Sequence, residues 1–152
     1  MDLPLTTDTM TRTAPELPRY SRRWDADTAS LPEARDAVAD LLARVRPTPS
    51  AHTVQDAQLV ASELVTNALK HAPGPFTLHM EVIPDPAALR ISVTDSSPRP
   101  PRHRPPDPER VGGHGLRLVT LLCGALEVTP LGRGKRVTAS LALALDHGAR
   151  HP

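Results

Sequence analysis

The chain has 152 residues, with 18 Lys+Arg against 17 Asp+Glu for a formal net charge of +1, a size that fits one domain because single cores commonly grow to ~100–200 residues. Near-neutrality gives no footprint for nucleic acid or an anionic membrane surface, and no apolar run approaches the ~18 residues that span a bilayer. The single cysteine, Cys123, excludes an internal disulfide and is too few for a cysteine zinc site.

Met1-Asp2-Leu3-Pro4 has neither a basic n-region nor an apolar h-region, so the sequence predicts no secretory signal and a reducing, cytoplasmic setting. Residues 1–18 are rich in Thr, Asp and Pro without periodicity and read as a flexible arm. Arg19 to Asp25 can form a first strand anchored by Tyr20 and Trp24. With Phe76 these complete the aromatic content, so the core is expected to be aliphatic. Ser30-Leu31-Pro32-Glu33 predicts a helix start: Ser30 caps the free amides, Glu33 reaches back as a capping box, and Pro32 sits where its missing N–H costs nothing. Leu31, Ala34, Val38, Leu41, Leu42 and Val45 then recur at helical spacing up to Pro47 and Pro49. A second helix is expected from just after Thr53, with Asp56 in its first turn, to about Ala72, where Pro73-Gly74-Pro75 ends it.

The period then changes to two. Phe76, Leu78, Met80 and Val82 alternate with polar residues, Pro84-Asp85-Pro86 turns, and Leu89, Ile91 and Val93 repeat the alternation up to Asp95. This pair predicts a hairpin. Ser96 to Arg110 holds six of the 18 prolines and four arginines, and reads as a long surface loop of extended character. Gly112-Gly113-His114-Gly115 comes next, and a short helix is expected from Leu116. Leu126 and Val128 open a further strand, Gly132-Arg133-Gly134 turns the chain, and Val137, Ala139, Leu141 and Leu143 close the sheet. The order is β-α-α-β-β-α-β-β. Alternating strands expose one sheet face to water and bury the other against helices, which makes an α/β two-layer sandwich. The domain is placed at 19–145 and a disordered tail at 146–152.

Three features carry chemistry. Glu63 and Asn67 stand four apart on the second helix, one above the other, and offer a base beside an oxygen ligand for a hard cation. Taken alone, the pair reads first as an ordinary polar edge of an amphipathic helix. Asp95 ends a strand beneath the Pro-rich loop, where it can accept a hydrogen bond from a base or simply form a turn. Gly113-His114-Gly115-Leu116 lets backbone amides approach phosphate oxygens at a helix start, yet it is neither a Walker loop nor a Rossmann fingerprint.

Their order is more specific than any one of them. Ala61-Ser62-Glu63-Leu64-Val65-Thr66-Asn67-Ala68-Leu69-Lys70-His71-Ala72, Ile91-Ser92-Val93-Thr94-Asp95-Ser96-Ser97-Pro98 and Gly112-Gly113-His114-Gly115-Leu116-Arg117-Leu118-Val119 resemble the N, G1 and G2 boxes of the gyrase/Hsp90/histidine-kinase/MutL ATPase superfamily. Within it the chain looks most like the small anti-sigma-factor serine kinases, over roughly residues 20–143. The resemblance implies a Bergerat-type histidine kinase-like ATPase fold, with a mixed sheet and helices on one face. It implies ATP and Mg²⁺ as cofactors. Asn67 would hold the metal, Glu63 would orient or deprotonate the attacking hydroxyl, and Asp95 would accept the adenine amino group. Gly113 and Gly115 would let a lid close over the phosphates, with the helix from Leu116 pointing at them and His114 and Lys70 as neighbours. Two positions depart from the pattern: Ser97 replaces the usual glycine after Asp95, and Arg136 stands where relatives often place Thr.

The same resemblance implies a serine/threonine protein kinase whose partners are a sigma factor and an anti-sigma-factor antagonist, with no direct nucleic-acid or membrane contact and with room for a homodimer. A rival of another class is a non-catalytic, ATP-responsive binding module, which would need Asn67 and Asp95 but no base. Nucleic-acid binding through the Arg-rich loop has little support, because Asp107 and Glu109 adjoin the arginines and aromatics for stacking are scarce.

Overall fold

The computed structural model describes residues 17–71, 74–84, 86–96 and 111–143, the stretch 111–115 by its backbone alone. The elements follow the expected order: β1 Arg19–Trp24, α1 Leu31–Leu42, α2 Ala51–His71, β2 Phe76–Ile83, β3 Ala88–Asp95, α3 Val111–Cys123, β4 Glu127–Pro130 and β5 Lys135–Ala142. The predicted arm, the loop over 97–110 and the tail lie outside the described residues, apart from the arm's last two positions.

Ser30 caps α1 as expected, its Oγ accepting the Glu33 amide at 3.1 Å. The second half of the capping box goes elsewhere: the Glu33 carboxylate meets Arg22 Nε of β1 at 3.0 Å. An arginine within reach competes well for that carboxylate, since it offers a charged donor where the backbone offers a neutral one. The second helix begins earlier than its apolar stripe announces. Ser50 Oγ accepts the Thr53 amide at 3.1 Å and starts α2 at Ala51. The third helix also begins early, at Val111, so the Gly-Gly-His-Gly run is helical backbone and not a loop before a helix.

Strand order is β1-β2-β3-β5-β4. Every neighbouring pair is antiparallel, where a mixed sheet was expected. The reason lies in the last crossover. The chain leaves β3, runs through α3 and returns as β4 in the direction of β3, but β5 then folds back between the two. Their parallel relation therefore never becomes a ladder.

Strand alternation sorts the two faces. Leu78, Met80, Val82, Leu89, Ile91, Val93, Val137, Ala139 and Leu141 are buried beneath α1 and α2, which present Val38, Leu41, Leu42, Val60, Leu64 and Val65 at helical spacing. The opposite face carries Thr77, His79, Glu81, Arg90, Thr94 and Arg136, half-buried or exposed. Two small hydroxyls on it are covered by their neighbours, and Ser92 and Thr138 satisfy each other at 3.0 Å. The core is aliphatic except at one end, where Trp24 and Phe76 pack with ring centroids 5.9 Å apart. α3 packs on α2 and β5, burying Val119 and leaving Leu118 and Leu121 exposed.

Candidate functional site

The antiparallel register lines up Trp24, Phe76, Asp95 and Lys135 as direct partners across four strands. Residues directly opposite in such a sheet share a face, and this row marks the end of the helix-covered side. Trp24 and Phe76 pack on each other at one end of the row. At the other end of the row, Asp95 and Lys135 meet the last turns of α2. A recess forms there between α2, β3 and β5, lined by Leu64, Asn67, Ala68 and His71 from the helix and by Val93, Asp95, Lys135 and Val137 from the strands.

Two of the sequence-predicted residues are thus brought together. Asn67 and Asp95, 28 positions apart in the chain, line one recess. Glu63 is half-buried one turn before Asn67, just outside the lining. Lys70 is exposed and takes no part in the wall. Gly113, His114 and Gly115 lie in the first turns of α3, described by backbone alone. Leu116 is half-buried and packs on the core. Arg136, one of the two departures from the family pattern, is exposed on the wet face, its Nε donating to Thr94 Oγ1 at 3.3 Å.

Sequence reasoning misses Lys135. Its Nζ donates to Asp95 Oδ2 at 2.9 Å, with side chains only 17% and 4% exposed. A signal is present. Lys135 has the parity of Val137, Ala139 and Leu141, so strand alternation alone turns it toward the covered face. Gly134 is more than the turn residue its sequence context announces. Its φ is +84°, and a Cβ there would run into the Asp95 carbonyl and lie 2.8 Å from the Ser96 Cα. Only glycine permits that approach, which seats the start of β5 against the end of β3.

The residue types fit a nucleotide with a divalent cation. Asn67 offers an amide oxygen and Glu63 a carboxylate, both hard donors suited to Mg²⁺, while Asp95 is an acceptor in a recess whose wall combines Leu64, Ala68, Val93 and Val137 with Asn67, His71 and Lys135. Apolar walls with a few convergent polar groups are the usual make-up of a small-molecule site. Among the described residues no cluster of His, Cys, Asp and Glu could hold a metal by itself. A cation here would accordingly share its ligands with phosphate oxygens and water, as Mg²⁺ commonly does.

Residues 24–141 match the family model of the histidine kinase-like ATPase domain. The chain belongs to that family. No curated protein matches it. Among solved structures, the RsbU and RsbW domains of Rv1364c from Mycobacterium tuberculosis superpose with a TM-score of 0.60 at 19% identity, over 83% of this chain and 32% of that one. The blue-light activated histidine kinase EL346 of Erythrobacter litoralis superposes with a TM-score of 0.54 at 25% identity, over 78% of this chain and 42% of that one. The chain therefore spans less than half the length of either protein, and what they share with it is the fold. Membership of this family supports a kinase or ATPase activity. No helix among the described residues is long and apolar enough to cross a membrane.

Proposed function

We propose that the chain is an ATP- and Mg²⁺-dependent serine/threonine protein kinase of the anti-sigma-factor type, which binds a sigma factor and phosphorylates an anti-sigma-factor antagonist. The observation that carries this reading is the convergence of Asn67 and Asp95 on one recess, with Glu63 a single helical turn away. In this reading Asp95 accepts the adenine amino group and Asn67 holds Mg²⁺. The metal, when bound, would neutralise phosphate charge. Glu63 orients the partner's serine hydroxyl and takes its proton. The backbone of Gly113 and Gly115, the α3 turn leading to Leu116, His114, and Lys70 at the exposed end of α2 are assigned to the phosphate side. Phosphoryl transfer asks chiefly for positioning and charge stabilisation, so a small set of such groups suffices.

Calorimetry with ATP-Mg²⁺ tests the reading. Compared within a Lys135→Met background, which removes the ion pair from both sides of the comparison, Asp95→Asn should weaken ATP binding at least tenfold, the effect of losing one charge-assisted hydrogen bond of about 1.5–3 kcal/mol. Equal affinity in the variant would remove Asp95 from the adenine site. ATP binding by the wild type without phosphate transfer to any antagonist protein would leave an ATP-responsive binding module in place of the kinase.

A further inference from the structure

Lys135 occupies the carboxylate that the nucleotide-site reading gives to the base. Its Nζ is 2.9 Å from Asp95 Oδ2, on a carboxylate that is 4% exposed. The placement is built into the backbone. Asp95 and Lys135 are direct partners in the β3–β5 ladder, and Gly134, with its positive φ, presses the start of β5 against Asp95. The space in the recess that a water-sized sphere can enter amounts to about 10 Å³, room for about one water molecule and far too little for a purine. An ammonium is also a pure hydrogen-bond donor, the same character as the exocyclic amino group of adenine.

We infer that Lys135 is an internal competitor for the base site and sets nucleotide affinity by holding the acceptor that the base must use. This rests on the nucleotide-site reading of Asp95. Binding a purine then requires the Lys135 side chain to leave Asp95, and the affinity observed is what remains after that buried ion pair is broken. Breaking such a pair is costly because each charge loses its compensation away from water. The lysine is a positioning and affinity-setting residue. It takes no part in phosphate transfer.

Two variants separate charge from bulk. Lys135→Met keeps most of the length without the ammonium, and Lys135→Thr removes both. Calorimetric titration with ATP-Mg²⁺, on protein whose folding is checked by thermal melting, should give a Kd about tenfold to a hundredfold lower for both, the range of one charge-assisted hydrogen bond. In an Asp95→Asn background Lys135→Met should bring no gain, since the group competed for is gone. Unchanged or weaker binding by both single variants, with measurable wild-type binding, overturns the competition and leaves the nucleotide site standing. Tighter binding by Lys135→Thr alone means obstruction by bulk and also overturns it. If folded wild type and both variants all fail to bind ATP, the nucleotide-site reading falls and the competition falls with it.

Discussion

Glu63 and Asn67 share a helix face, and the proposed mechanism gives them different tasks. Asn67 lines the recess and Glu63 sits one turn away from it, so in the proposed mechanism one serves binding and the other the chemical step. Glu63→Gln keeps the shape and removes the charge. ATP affinity should hold while single-turnover phosphate transfer falls by ~10²–10⁴-fold, the usual weight of general-base assistance. Loose phosphoryl-transfer transition states can ask for less of a base, which puts the lower end of that range first. Asn67→Ala should lose both, because a metal ligand supports binding and transfer together. A Glu63→Gln variant that transfers at the wild-type rate would take the base role away from this side chain.

At the scale of elements, two local devices hold the frame in place. The Ser30 hydroxyl satisfies an otherwise free amide at the start of α1, and Ser30→Ala should cost about 1 kcal/mol. Thermal melting would show this as a drop of a few degrees, with ATP affinity unchanged because the cap contributes nothing to the recess. Gly134→Ala should behave differently. Its positive φ costs a side chain roughly 1–2 kcal/mol, and the added Cβ collides with the Asp95 backbone. The start of β5 must shift, carrying Lys135 and Val137 with it. Both the melting temperature and ATP affinity should change in that variant. A change in stability alone would mean that the recess tolerates the shift.

For the whole molecule, alkaline pH gives a graded test of the packing. Burial, helped by the charge of Asp56, pushes the Cys123 thiol up from 9.0 to about 11, and burial with the charge of Glu33 raises the Tyr20 phenol. A raised folded-state value means that the fold favours the protonated form, so the stabilisation is complete below the unfolded value and is lost as pH rises through the folded one. Stability should therefore decline from about pH 9 upward. Trp24, the one tryptophan of the chain and almost fully buried, reports unfolding by its emission. The urea midpoint read from it should fall across this window, and the decline should be shallower in Cys123→Ala. Identical alkaline slopes would show that Cys123 ionises as freely in the folded chain as in the unfolded one. At neutral pH the same thiol should react slowly with alkylating reagents until the protein is denatured, because the thiolate is the reactive form.

Much of this molecule is legible in the sequence alone. The order of eight elements, the inward faces of α1 and α2, the Ser30 cap and the spacing of Glu63 and Asn67 all follow from backbone periodicities of 3.6 and 2 residues, which act over a few positions. Element starts are less legible, since Ser50 and the glycines before Leu116 extend helices without adding to an apolar stripe. Tertiary structure alone decided the rest. The insertion of β5 between β3 and β4 makes the sheet antiparallel throughout, Glu33 leaves its capping box for Arg22, and Lys135 reaches Asp95 from 40 positions away. Strand alternation determines which face a residue takes, but a partner is chosen by which strands become neighbours and in what register. That choice is made by the packing of the whole chain, and it put the ammonium of Lys135 on the floor of the recess.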